Sequence, residues 1–111
     1  MPFPVARKGD NSTGHGNWPP NNIVGACSEN VFTNMIMTAK VGSTYATHCC
    51  ITSHKWHNCH CHDSILAMDF MTTTYCNGVQ IGHILSIINC GGGSCGQQFQ
   101  NTGSGNVFCG H

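Results

Sequence analysis

Ala39-Lys40-Val41-Gly42-Ser43-Thr44-Tyr45-Ala46-Thr47-His48 repeats the form of Ala6-Arg7-Lys8-Gly9-Asp10-Asn11-Ser12-Thr13-Gly14-His15. In each, a small residue opens a short strand, a glycine turns it, and a histidine arrives six residues after that glycine. In a third copy the turn pair is Leu85-Ser86, and Cys90 arrives four residues after the serine. Three copies of one strand-turn-ligand unit, each delivering one soft ligand, predict three loops meeting at one pole of a small pseudo-threefold body.

Other stretches recur around these units. Ser28-Glu29-Asn30-Val31-Phe32 returns as Ser104-Gly105-Asn106-Val107-Phe108, which reads as one strand used twice. Asn34 and Asn77 align at one turn position, and His48 stands close to the place of Cys90. Val31, Phe32, Ile36, Tyr75, Val79, Ile81, Val107 and Phe108 supply the β-branched and aromatic residues of short strands. Phe32, Tyr75 and Phe108 fall at matching places in the repeats, as core or base positions, and the interior is the simpler place for them. Trp18-Pro19-Pro20 and Gly91-Gly92-Gly93 punctuate loops, and no segment holds a helical period. The expectation is one all-β domain over residues 1–111, built of short strands and loops, with degenerate repeats at roughly 4–34, 35–77 and 78–110.

Composition narrows the function. With only Leu66 and Leu85 as leucines and 14 glycines, a helical bundle is a poor fit, and a small core gains from a structural staple. Charged residues are 7% of the chain and the formal net charge is zero, which argues against nucleic-acid or anionic-membrane partners. So little charge also suggests a surface covered by another protein, beside the plainer reading of an uncharged Thr/Ser/Asn/Gly surface. Nine cysteines, an odd count, follow an N-terminus without a secretory apolar core, so free or metal-bound thiols in a reducing cytoplasm are expected.

The densest chemistry lies at His48-Cys49-Cys50-Ile51-Thr52-Ser53-His54-Lys55-Trp56-His57-Asn58-Cys59-His60-Cys61, with His62 next. It holds five of the eight histidines and four of the nine cysteines. Imidazole and thiolate are the ligands that tetrahedral Zn²⁺ prefers. Cys27, Cys76 and Cys109, in or beside strand-like segments, read as buried packing thiols. His54, His57, Cys59, His60 and Cys61 read as a loop that avoids charge, with a second metal site as the alternative. His83 and His111 stay unassigned. No enzyme is expected: only Asp10, Glu29, Asp63 and Asp69 are acidic, no phosphate-binding loop is present, and a Cys-His pair drawn from the cluster is nonspecific.

Alanine-Arg-Lys-Gly-Asp at 6–10 with Ser-Thr-Gly-His-Gly at 12–16, Pro19-Pro20, His48-Cys49-Cys50, Cys61-His62-Asp63-Ser64-Ile65-Leu66-Ala67, Asn89-Cys90-Gly91-Gly92 and Gly103-Ser104-Gly105-Asn106-Val107-Phe108 occur in that order. The set resembles the PAAR-repeat proteins over nearly the whole chain. It departs from their pattern at Gly42-Ser43 and Leu85-Ser86, where Gly-Asp pairs would stand, and keeps the signature only as Val5-Ala6-Arg7 after Pro4. The resemblance implies a small cone, stapled by one structural zinc at its apex, on the end of a trimeric β-helical spike. That spike belongs to a contractile injection machine, a phage tail or a type VI secretion system.

Carried over position by position, the ligands implied are His15, His48, His62 and Cys90, with iron as the other metal to consider. Such a His₃Cys site has no open position and would be structural. The implied partner is the spike trimer, one tip per trimer, with passing contact to the target envelope and no stable membrane insertion. The implied location is a virion or, alternatively, the bacterial cytoplasm followed by export through a type VI apparatus. The competing reading is a free cytoplasmic zinc or copper carrier using Cys49-Cys50 and Cys59-His60-Cys61 in the 48–62 cluster.

Overall fold

A computed structural model describes residues 2–14, 18–49, 61–69, 71–90 and 98–110, with the backbone alone at His62 and Cys90. These residues form short strands and no helix, so the all-β expectation holds. The strands are β1 (Phe3–Pro4), β2 (Ile23–Gly25), β3 (Phe32–Thr33), β4 (Ile36–Met37), β5 (Thr44–Tyr45), β6 (His48–Cys49), β7 (Cys61–His62), β8 (Ser64–Leu66), β9 (Tyr75–Cys76), β10 (Val79–Gln80), β11 (Ile87–Cys90), β12 (Gln98–Phe99) and β13 (Phe108–Cys109).

The turn read first in the sequence is made three times with the same bonds. Asp10, Ser43 and Ser86 donate their backbone N–H to the carbonyls of Arg7, Lys40 and His83 at 3.0, 2.8 and 2.9 Å. Their side-chain oxygens accept in return from the N–H of Arg7, Lys40 and His83 at 2.8, 3.0 and 3.0 Å. A serine hydroxyl therefore does at two turns what the Asp10 carboxylate does at the first. Gly9, Gly42 and Leu85 hold the third position at φ 95°, 98° and 80°, a left-handed conformation in which only the leucine is strained.

Just before each turn the backbone closes a ring. The Ala6 N–H donates to Gly82 at 2.9 Å, Gly82 to Ala39 at 2.9 Å, and Ala39 to Ala6 at 3.0 Å. Ala6 and Ala39 are fully buried. A Cβ on Gly82 would lie 2.8 Å from Leu66 Cδ1 and 3.1 Å from the Ala39 Cβ, so this position admits no side chain without a shift. Small residues are required here because three backbones meet around one axis. The molecular extents of 45 × 24 × 24 Å, with equal short axes, agree with such an axis.

On one side of the ring lie three two-stranded ladders: β3 with β4, β9 with β10, and β13 with β1. Phe32 pairs with Met37, Tyr75 with Gln80 and Phe108 with Pro4. Asn34 and Asn77 both sit at φ 54°, on the shared turn position, and are followed by Met35 at φ 65° and Gly78 at φ 83°. Positive φ at both central residues is the type I′ hairpin turn, whose twist matches the strands. Asn34 donates to the Asn106 side chain, and Asn77 to that of Asn30, each at 2.8 Å, tying turn tips to neighbouring repeats.

On the other side, β12, β11, β8, β5 and β2 form a five-stranded sheet in that order. Bridges from Asn11 to Asn22 and from Ser12 to Gln100 insert the segment after the first turn between β2 and β12, which closes the sheet on itself. Closure removes the edges that would otherwise invite pairing with another chain. Ile23, Tyr45, Leu66 and Ile88 point inward with Ala6, Cys27 and Ala39 as one apolar cluster. A second cluster, Phe3, Val5, Cys76, Ile81 and Cys109, lies under the hairpins.

The inside of the closed sheet is also polar. Buried Tyr45 donates its hydroxyl to Gln100 Oε1 at 2.5 Å, and buried Gln98 donates to Ser64 Oγ at 3.2 Å. The interior placement expected of the repeated aromatics is not what occurs: Phe32, Tyr75 and Phe108 are 55, 63 and 53% exposed. The residue after each one, Thr33, Cys76 or Cys109, is the buried member of its strand, because alternate residues of a strand face opposite sides.

Candidate metal centre

β6 and β7 run antiparallel with His48 opposite His62 and Cys49 opposite Cys61. The two ligand positions from the dense cluster are therefore direct cross-strand neighbours. The sequence shows why: His-Cys on one strand and Cys-His on the other are mirror images, and antiparallel pairing superposes a mirror image. Further along the chain, Ser64 of β8 pairs with Cys90 of β11 in the five-stranded sheet, so the fourth ligand position lies opposite a residue two positions from His62.

The His48 ring is buried, and its Nδ1 lies 2.8 Å from the Pro19 carbonyl. A carbonyl only accepts, so Nδ1 carries the proton and Nε2 carries the lone pair. Metal-binding histidines are fixed in this way by a backbone carbonyl behind them. Pro19 is held in turn. The Gly14 backbone, at φ 70°, packs so closely against residues 18–20 that a Cβ would lie 2.7 Å from the Trp18 carbonyl and 2.8 Å from Pro19 and Pro20.

Ser12 and Asn21 clasp the base of that loop, their backbones bonded at 2.8 Å and their side chains at 2.5 Å, and Asn21 reaches the Ala46 carbonyl at 2.7 Å. Thus the residue before His15 packs on the segment that orients His48. His15 itself, the cluster positions 50–60, the glycines 91–93 and His111 lie outside the described residues. Among the described residues no group of three or more His, Cys, Asp or Glu side chains is set to hold a metal. Two of the expected ligands are described by backbone alone and a third is not described, so His48 is the position where fit is tested. A buried imidazole with its proton behind it and its lone pair at Nε2 suits Zn²⁺.

Cys49 and Cys61 are joined by a disulfide. This departs from the expectation of thiols throughout, because the pairing that aligns the histidines also brings the two sulfurs together. Cys27, Cys76 and Cys109 are free and buried, in keeping with their reading as packing thiols. Burial pushes the Cys27 thiol up, against a smaller opposing effect of its bond from Ser43, and burial likewise pushes Cys109 up. These are neutral thiols with a packing role.

His83, unassigned from the sequence, has a defined place in the structure. It is fully buried, with Nδ1 donating to the Ile84 carbonyl at 2.7 Å and Nε2 lying 3.1 Å from Asp69 Oδ2. Its ring stacks at a tilt on Phe3, with centroids 4.9 Å apart. Gln80 closes the surrounding loop by accepting from the Asp69 N–H at 2.8 Å and donating to the Asp69 and Thr72 carbonyls at 2.8 and 2.9 Å. His83 therefore stands at the repeat position of Arg7 and Lys40 as an internal anchor. The opposite choice is made at Arg7, which pairs with Asp10 at 2.9 Å near the surface.

No protein-family profile matches the chain, and no curated protein matches it in sequence.

Proposed function

We propose that this chain is a structural spike tip of the PAAR kind: a small pseudo-threefold cone that caps the trimeric β-helical spike of a contractile injection machine, of a phage tail or a type VI system. The observation that carries the reading is the threefold recurrence of one hydrogen-bond set, with an exposed aromatic at the matching place of each two-stranded ladder. A single chain with three like contacts around one axis suits a homotrimer, whose end presents three like surfaces. A β-helix end also exposes unpaired backbone groups that need a cap.

In this reading the opposite pole is locked by zinc on His15, His48, His62 and Cys90. When bound, the metal would cross-link three loops and add folding free energy. The protein performs no chemistry. It travels with the virion or is exported with the spike, and meets the target envelope first.

The test is mixing with the purified β-helical spike trimer encoded in the same genome. One chain per trimer by light scattering supports the reading, and no complex rejects it.

A further inference from the structure

Met35 occupies a position that its backbone disfavours. It sits at φ 65°, second of the two central residues of the β3–β4 turn, and is 94% exposed. The matching residue of the β9–β10 turn is Gly78 at φ 83°, around which a Cβ would meet nothing within 4 Å. Space is thus available at this turn, but left-handed backbone disfavours any side chain with a Cβ, and an Asn-Gly pair is the relaxed solution. The chain uses that solution in one hairpin and not in the other. The strained one carries a flexible apolar side chain almost wholly in water.

Its surroundings make this more than a tolerated substitution. Val31, Phe32, Ile36 and Met37, on the same hairpin, are 39, 55, 38 and 36% exposed. Between Asn30 and Lys40 the chain carries no charge. The second hairpin instead shows one exposed aromatic, Tyr75, with Asn77 and Gly78 at its tip. Long unbranched methionine adapts to irregular partner surfaces, and strained residues persist where the surrounding function holds them.

We infer that the three contacts of the tip are unequal, and that the β3–β4 hairpin is the anchor, with Met35 inserted into an apolar pocket at the end of one chain of a threefold β-helical partner. This rests on the spike-tip reading. Phe32, Tyr75 and Phe108 then supply three shared contacts around the axis, and Met35 supplies the extra one that sets affinity. Met35 is a contact and specificity residue with no part in holding the tip together, so its effects on stability and on binding have opposite signs.

The experiment compares wild type with Met35→Gly and Met35→Leu, measuring melting temperature and affinity for the purified spike trimer encoded in the same genome. Relief of strain should raise the melting temperature of Met35→Gly by about 4 °C, while its affinity falls at least about tenfold. Met35→Leu, which keeps the apolar bulk, should bind within about threefold of wild type.

Wild-type affinity in Met35→Gly would overturn the inference and leave the spike-tip reading standing. Absence of any wild-type complex would remove both. Self-association in sedimentation, lost in Met35→Gly, would assign the hairpin to a second copy of this chain and overturn the inference as well.

Discussion

His48 and His62 face each other across the β6–β7 ladder, and the next rung is the Cys49–Cys61 disulfide. The bridge spans a sequence separation of 12 and fixes the pairing that carries both histidines. Reduction, or the double change Cys49→Ser/Cys61→Ser, is expected to lower stability by about 2–3 kcal/mol through the freed loop. Thermal melts with and without reductant should show the same fall in wild type that the double variant shows without it. An unchanged midpoint would mean that the ladder holds itself.

Metal content tests the pole. Elemental analysis of protein purified without added metal should find one zinc per chain. His15→Ala, His48→Ala, His62→Ala and Cys90→Ser should each lose it, while Cys59→Ser should keep it. Chelation is expected to cost several kcal/mol of a metal contribution on the order of 10 kcal/mol. Zinc retained by all four ligand variants would move the site elsewhere.

Gly82→Ala probes the axis. The added methyl would meet Leu66 Cδ1 at 2.8 Å and the Ala39 Cβ at 3.1 Å. Overpacking of this kind costs about 1–3 kcal/mol. Leu85→Gly should do the reverse at the strained third turn, gaining about 0.5–1 kcal/mol from relief at φ 80°. Urea unfolding midpoints moving in opposite directions would confirm both, and parallel movement would contradict the equivalence of the three turns.

Alkaline pH should unfold the chain earlier than neutral pH. Burial pushes up the Cys27 and Cys109 thiols and the Tyr45 phenol, so the folded state keeps protons that the unfolded chain releases. The folded state binds more protons, and stability therefore falls with rising pH. The contribution is complete below the ordinary values, about 8.5 for thiols and about 10 for tyrosine, and disappears as pH climbs through the raised ones. Urea midpoints should decline from about pH 8.5 upward, less steeply in Cys27→Ala. A flat profile would show these groups to be ordinary.

The triple change Phe32→Ser/Tyr75→Ser/Phe108→Ser should leave zinc content and melting temperature near wild type, because all three side chains are more than half exposed. It should abolish the complex with the spike trimer. Retained binding in light scattering would place the interface on another face.

Much of the fold can be read in the residues. The shared turn is visible because glycine marks a left-handed position, and Ser43 and Ser86 keep an oxygen where Asp10 has one. Asn34 and Asn77 align for the same reason. The faces of Phe32, Tyr75 and Phe108 could not be read, since two-residue strands hold too little alternation to orient them. The ring through Ala6, Ala39 and Gly82 leaves no side-chain signal. Pairing of β1 with β13 joins residues more than a hundred positions apart, with no local hairpin motif to announce it.

At the proposed metal pole, spacing links His15, His48 and Cys90, and the mirrored His48-Cys49 and Cys61-His62 are present to be read as a ladder. Nine cysteines leave too many pairings for composition to choose among.

The three-membered amide ring has a consequence for how the chain folds. Each of its bonds joins two repeats, and the last can form only after all three have arrived. No repeat can complete its hydrogen bonding alone, so assembly must wait for contacts far apart in sequence and proceeds slowly for a chain this small. The amide protons of Ala6, Ala39 and Gly82 should then exchange with solvent together, at the rate of global opening, because releasing one breaks the circuit that protects the other two.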